Sequence, residues 1–506
     1  MVYYILGVDM KFKFLDRDPE LELLDRLWDS ESAEFLVLYG RRRIGKTALL
    51  IEWIRRSSRR ALYWVVSPTS NALQLQSFSK AIYNFSHPEV RAPDTFTYAT
   101  WEQAFQEISA LSNNGRIALF IDEFTFLLET DPSIAGQLQN FWDHILSRCN
   151  LFLCLSGSQL GMMKREFLSP RAPLYGRASA KLDLQALPFA STQHFFPKYS
   201  AVDRVALYSI LGGVPAYWER VDPAKSLSSN IKSQLLTSNN IMQGEPRLLL
   251  QDFVSEPHNY IAVLSAIANG AHTLREIAAV TGIKSQPTKY LSVLMEAGFV
   301  TRRVPITLRR KEQEESRAGR YHITDSYLRF YFRFLAEQQD ELALRMQDQA
   351  LAEISRHMID FIGQYTWEEL CREWTLRAGV AGKLPCLPKK VGSAWNALAQ
   401  VDVAAINFDE KILILGECKW TATPNERPAI SNLVEDKASK IVPEQGKWRV
   451  FFLGFSRAGW TAGAIAYQKQ VNAQPVKGTN WISVGMRLVE LDELDRDLGH
   501  WTFGKF

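Results

Sequence analysis

Tyr39-Gly40-Arg41-Arg42-Arg43-Ile44-Gly45-Lys46-Thr47 is the stretch on which the fold turns. Gly40, Gly45, Lys46 and Thr47 satisfy the spacing G-x-x-x-x-G-K-[ST], and the flanks supply the context this spacing needs. Ahead of it, Phe35-Leu-Val-Leu-Tyr39 is a continuous apolar run of strand type; behind it, Ala48-Leu-Leu-Ile-Glu-Trp-Ile54 reads as a helix. Strand, glycine-permitted turn and helix start together present free backbone N–H groups to an anion. The spacing therefore predicts a nucleotide phosphate cradled by Gly40, Arg41, Arg42, Arg43, Ile44, Gly45, Lys46, Thr47 and Ala48. Lys46 is expected on the β- and γ-phosphates and Thr47 on Mg²⁺, which makes ATP and Mg²⁺ the implied cofactors.

Two further strands support this reading. Ile117-Ala-Leu-Phe-Ile121 runs straight into Asp122 and Glu123, as buried parallel strands do where ligands gather at their carboxyl ends. Asp122 is expected to bind the Mg²⁺ and Glu123 to polarise the attacking water. Leu151-Phe-Leu-Cys-Leu155 ends in Ser156-Gly-Ser-Gln159, where either Ser158 or Gln159 could meet the γ-phosphate. Strand-like and helix-like segments alternate from about residue 35 to 187, which predicts an α/β domain with a mainly parallel sheet. Arg17 and Glu20, at an early helix start, are placed at the border of the adenine pocket. Arg171 and Arg177, in the irregular loop 169–177, are candidates to lend positive charge to a phosphate.

Residues 191–250 read as helices interrupted by Leu211-Gly-Gly-Val-Pro-Ala216, a lid for the nucleotide. From Tyr260 the pattern becomes helix, a second helix capped by Thr273 with Glu276 three residues on, a glycine turn, a third helix from about Ser285, and a basic strand pair. That order is a winged helix-turn-helix. Its recognition helix would present Lys284, Ser285, Gln286, Thr288 and Lys289, and its wing Arg302, Arg303, Arg309, Arg310 and Lys311. Between Lys284 and Arg320, nine basic residues stand against four acidic ones, so DNA is the expected partner. A connector between protein modules is the alternative role for such a domain.

The last third holds a second constellation. Val401-Asp-Val-Ala-Ala-Ile406 and Ile412-Leu-Ile-Leu-Gly-Glu-Cys-Lys419 are two strands joined by a short polar turn around Asp409-Glu410. A symmetric turn sets Asp402 opposite Glu417 on one face, with Lys419 two residues on and pointing the same way. Facing carboxylates repel unless a divalent cation lies between them, so Asp402 and Glu417 are candidate metal ligands. Lys419 would then orient a water or steady developing charge. This Asp…Glu-x-Lys hairpin resembles the PD-(D/E)XK nuclease core, in which a preceding helix often contributes an acid; here Glu368 in Tyr365-Thr-Trp-Glu-Glu-Leu-Cys-Arg-Glu-Trp374 matches.

The 506 residues, 46% hydrophobic and 23% charged, suffice for several cores and exclude wholesale disorder. Five cysteines without paired spacing suggest reduced thiols and a cytoplasmic setting. No apolar run reaches the length of a membrane span, and the start lacks the features of a signal peptide; Met10 is an alternative first residue.

Arg17-x-x-Glu20, the phosphate loop, Phe120-Ile-Asp-Glu-Phe124, Leu174-Tyr-Gly-Arg177, Gly213-Val-Pro215 and Gly416-Glu-Cys-Lys-Trp420 follow one another in this order. The series resembles the archaeal and bacterial ATPase family of the STAND/AAA-like group, from about residue 12 to 500. That resemblance implies a P-loop ATPase core (11–190), a helical lid (191–254), a winged helix-turn-helix (255–335) and a PD-(D/E)XK-related α/β domain (336–506). The segment before Asp402 holds a single Trp395 where this family carries a tryptophan-rich motif. The expected activity is ATP hydrolysis coupled to DNA binding and metal-dependent DNA cleavage, in a monomer or homo-oligomer. The rival is a nucleotide switch whose last domain binds without cutting.

Overall fold

The computed structural model describes residues 14–57, 59–237, 240–251, 253–254, 256–283 and 287–504. Met10 and the predicted recognition-helix residues Lys284, Ser285 and Gln286 lie outside them. The chain divides into two compact units, one of residues 1–187 with Val214–Glu219 and one of Pro188–Gly213 with Arg220–Phe506.

The first unit is built on five parallel strands: β1 (Glu34–Tyr39), β2 (Ala61–Val65), β3 (Ile117–Asp122), β4 (Leu151–Gly157) and β5 (Ala180–Asp183). They stand in the order β2-β3-β4-β1-β5. The alternation along β1 explains the layering. Phe35, Val37 and Tyr39 join the core on one face, with Leu62, Ile121 and Phe78, while Leu36 and Leu38 join the other, with Leu49, Trp53 and Phe120. Burial of each such side chain contributes about 1.5–3 kcal/mol. The helix Lys46–Ser57 begins directly at the phosphate loop, and β4 separates the loop's strand from the strand that ends in Asp122.

The second unit holds helices His258–Ala268, Leu274–Thr281 and Pro287–Glu296, then β6 (Val300–Arg303) paired antiparallel with β7 (Arg320–Ile323). This is the order expected of a winged helix, and the capping box of Thr273 and Glu276 is formed. The wing differs from expectation. Its backbone joins Ile306 N to Ser393 O (3.1 Å), Trp395 Nε1 donates to Ala318 O (3.1 Å), and Arg320 donates to Gln400 (2.8 Å). Arg303 is paired with Glu369 (2.7 Å) and Arg302 with the carbonyl of Ser316. Arg302 and Arg303, expected to meet DNA phosphates, are thus engaged in intramolecular contacts.

A mixed sheet closes the unit: β8 (Lys390–Trp395), β9 (Gln400–Asn407), β10 (Ile412–Lys419), β11 (Trp448–Ser456) and β12 (Trp481–Glu490), in the order β12-β11-β10-β9-β8. β8, β9 and β10 are antiparallel; β10, β11 and β12 run parallel, joined by helical crossovers. One face is covered by Glu368–Val380 and Leu491–Phe503, the other by the helical stretch 428–441 and by Ala462–Ala473. No helix among the described residues is long and apolar enough to cross a membrane.

Candidate functional site

Glycine is required where the chain turns from β1 into the phosphate loop. A Cβ on Gly40 would lie 2.7 Å from Leu184 O, and Gly45 adopts φ +99°. Arg43 and Glu123 also take left-handed conformations, with φ of 67° and 55°, strain of the kind that concentrates at ligand sites. The loop and its helix open onto a cavity of about 250 Å³ lined by Gly45, Lys46, Thr47, Glu123, Pro215 and Glu219, with Arg43, Ala48 and Arg55 beside them. Every lining residue belongs to the first unit.

Thr47 Oγ1 donates to Asp122 Oδ2 at 2.6 Å, which joins the two residues assigned to Mg²⁺. Tyr63 donates to the same oxygen (2.7 Å), and the Glu123 backbone N–H to Asp122 Oδ1 (3.0 Å). An all-oxygen pair of hydroxyl and carboxylate at a helix start suits a hard cation that retains several waters, so these residues fit Mg²⁺. Lys46 is buried and donates to the carbonyls of Gly40 (3.0 Å) and Arg41 (3.3 Å). Burial pulls its pKa down, against the opposing pull of Glu123 and Asp122. Ser158 Oγ donates to Glu123 Oε2 at 2.8 Å, which places it beside the expected catalytic glutamate.

Two sequence expectations resolve differently. Arg17 is buried and braces the loop, donating to Ile44 O (3.3 Å), Gln185 O (2.7 Å) and Glu20 (2.9 Å). Arg177 forms a two-pronged pair with Asp143 (2.9 and 2.7 Å) and donates to Pro173 O; it does not line the cavity. Tyr63 was not legible as a partner of Asp122, because nothing in its own strand marks the tyrosine as polar-facing.

In the second unit the β9–β10 register pairs Gly416 with Val403 and Ile412 with Asn407, so the next step opposes Asp402 to Glu417 as the hairpin predicts. Ala404 and Leu415 lie in the core beneath residues 428–441, and alternation sends Asp402, Glu417 and Lys419 to that same face. Lys419 Nζ meets Glu417 Oε1 at 2.9 Å. Lys437 Nζ, from the covering helical stretch, meets Glu417 Oε2 at 2.8 Å. Asp402 Oδ2 accepts the backbone N–H of Cys418 (3.0 Å).

Glu368 comes from the helix on the opposite face. It is held by Arg372 (3.0 Å), which also donates to Asp402 O (2.9 Å) and to Ser393 Oγ (3.2 Å), at an irregularity of β8 between Gly392 and Ala394. Arg372 Nη2 is buried without a partner among the described residues. The pKa of Glu368 is raised by burial and then by Asp402; that of Asp402 by burial and then by Glu417. Burial opposes the charge of Lys419, but Glu417, Asp402 and Cys418 outweigh it and raise its pKa.

Among the described residues, no three His, Cys, Asp or Glu side chains form a ready metal cage. The donor chemistry of Asp402 and Glu417, two crowded carboxylates on one face, still fits a Mg²⁺-like ion bound through one or two acids and water.

Lys437 was missed by sequence reading, although a signal existed. It sits at a core-facing position among Ile430, Leu433, Val434, Ala438 and Ile441, where an ammonium needs a buried partner.

Residues 14–221 match a family described as an ATPase domain predominantly from Archaea, and residues 331–437 match one described as archaeal and bacterial proteins of unknown function. The uncharacterised protein MJECL04 of Methanocaldococcus jannaschii is 30% identical over 410 residues, 80% of this chain and 87% of that one. From the same organism, the uncharacterised ATP-binding protein MJ0423 is 46% identical over 41 residues, 8% of this chain and 70% of that one. Among solved structures, a Walker-type ATPase of Pyrococcus abyssi superposes with a TM-score of 0.47 at 16% identity, over 63% of this chain and 96% of that one.

Proposed function

The chain belongs to the ATPase family found predominantly in Archaea, and from that premise we propose that it hydrolyses ATP to govern a DNA-directed, PD-(D/E)XK-like nuclease module. The observation that carries the ATPase reading is the 2.6 Å bond between Thr47 and Asp122, with Glu123 facing the same cavity as Lys46. Lys46 exchanges the loop carbonyls for the β- and γ-phosphates, and the N–H groups at the start of Lys46–Ser57 receive the remaining charge. Mg²⁺, held by Thr47 and Asp122, would neutralise charge on the leaving phosphate. Glu123 orients the attacking water, and Ser158, already bonded to Glu123, is positioned to pass between that carboxylate and the γ-phosphate.

Support for the nuclease reading comes from the opposed Asp402 and Glu417 with Lys419 beside them. A metal held by Asp402 and Glu417 would activate water and polarise the phosphodiester. Lys419 stabilises the charge that develops on the phosphate, and Glu368 adjusts the field at Asp402.

The test is cleavage of single-stranded, duplex and branched DNA with Mg²⁺ or Mn²⁺, comparing the unaltered protein with Asp402→Ala and Glu417→Ala. Cutting that vanishes in both variants is the expected result. No cutting on any substrate, with or without ATP, overturns it.

A second reading has its own support. Arg303 and Arg320 of the wing are held within the chain, and both oxygens of Glu417 are held by lysines. On that reading the protein is a STAND-type nucleotide switch, its winged helix a connector and its last domain a binding scaffold. DNA binding without scission would favour it.

A further inference from the structure

Lys437 lies outside the Asp402, Glu417 and Lys419 motif and outside every role assigned so far. It approaches from a different element: the helical stretch 428–441 is wound into a π-helical turn over Leu433–Lys437, and π turns recur at functional positions. Val434 within the turn and Ala438 just after it are fully buried, so the turn is anchored in the core while the ammonium reaches Glu417 Oε2. The other members of the turn are tied elsewhere: Glu435 accepts from Tyr467 (2.9 Å), and Asp436 pairs with Lys440 (2.6 Å). Of these charged members of the turn, Lys437 points its charge at the acidic site. Its charge also acts on Asp402, so the ammonium stands within electrostatic reach of both opposed carboxylates.

Lys419 is fixed on the same strand as Glu417, two residues away, and takes Oε1. The remaining oxygen, Oε2, is held by Lys437, from a different element. We propose that Lys437 is a positioning residue that acts as an exchangeable counter-ion: it holds the Glu417 carboxylate in place through Oε2, and yields that oxygen to a divalent cation when one binds. This rests on the metal-site reading above and adds to it the group that must move. A unit charge a few ångströms from a bound dication repels it strongly at low effective dielectric, so the ammonium must move when the cation arrives.

The test uses the full chain, Mn²⁺ alone as the probe and calorimetric titration, counting the site that disappears in Asp402→Ala. Lys437→Met keeps the stem and removes the competing charge; it should bind Mn²⁺ about tenfold more tightly or better, the scale on which neighbours of metal ligands act. Lys437→Arg restores a competing cation and should return the affinity to within about threefold of the unaltered protein. Equal or weaker Mn²⁺ binding by Lys437→Met overturns the proposal. If the unaltered protein binds Mn²⁺ and cuts DNA while Lys437→Met is unchanged in affinity, only the counter-ion role falls. If neither protein shows an Asp402-dependent site, the metal-site reading falls with it. Binding seen in Lys437→Met alone supports the exchange directly.

Discussion

Asp122 has both carboxylate oxygens engaged, Oδ2 by Thr47 and Tyr63 and Oδ1 by the Glu123 backbone. It is therefore oriented before any nucleotide arrives, whereas Lys46, bonded only to loop carbonyls, is the group that changes partners. Lys46→Ala should abolish nucleotide binding as read by fluorescent-nucleotide titration. Glu123→Gln should bind ATP normally but lower turnover by about 10²-fold or more, the range for loss of a general base. Fast turnover in that variant would remove Glu123 from the role. A different residue sets a pH response. His322 stacks on His272 with ring centroids 4.7 Å apart, and burial, then Arg303 and His272, push its pKa to about 2 from an ordinary 6.5. The unfolded chain takes up the proton first, so stability holds above about pH 6.5 and is lost progressively as pH falls toward 2. At pH near 5 the loss reaches up to about 2 kcal/mol. Urea denaturation should show the midpoint falling between neutral pH and pH near 5, and His322→Phe should flatten that slope.

Among the elements, the helix Glu368–Val380 carries two adjacent acids with opposite fates. Burial would raise the pKa of Glu369, but Arg329, Arg303 and Arg372 outweigh it and hold it at about 2, while its neighbour Glu368 is raised. Glu369 thereby fastens the wing to the acidic-site helix through Arg303 at 2.7 Å, and it also holds Arg329 of the following helix Ser326–Phe330 at 3.3 Å. The Arg329 side chain is only 2% exposed, so Glu369→Ala strands a buried guanidinium. Because Arg303 and Glu369 retain some solvent, the expected loss is about 2–3 kcal/mol, below the full cost of breaking a buried pair. Chemical denaturation of the full chain measures it, and an unchanged midpoint would show the pair to be incidental. The contrast between hairpin and wing explains what sequence could disclose. The β9–β10 register followed from a short turn and two alternating strands, both local properties, and it stands as expected. The phosphate loop is likewise contiguous. Lys437 with Glu417, Tyr63 with Asp122 and Arg303 with Glu369 join residues 20, 59 and 66 positions apart. No periodicity within one element specifies such a partner, and Arg303 read as a free wing charge because its acid lies in another domain's helix. Arg177 misled for the same reason: its Asp143 is 34 residues away.

At the scale of the whole molecule, the nucleotide cavity belongs to one compact unit and the acidic site to the other. Each site should therefore report on its own unit. Calorimetry is expected to resolve two unfolding transitions, one raised by a non-hydrolysable ATP analogue with Mg²⁺ and the other by Mn²⁺ alone. Saturation at about 100 times the dissociation constant corresponds to about 2.7 kcal/mol of added stability in the unit that binds. A single transition moved equally by both ligands would show that the units unfold together.

The short return segment Val214–Glu219 bears on descent as well as on stability. It supplies Pro215, Ala216 and Glu219 to the phosphate cavity, yet both of its chain neighbours belong to the other unit. A genetic cassette ending at residue 187 would inherit the whole parallel sheet and still lack part of the cavity wall. The stretch that recurs across the family, residues 14–221, reaches just past this segment. Any exchange of this domain between chains that ends at residue 187 leaves part of the cavity wall behind, and only one that carries the chain through Glu219 keeps the cavity lining whole.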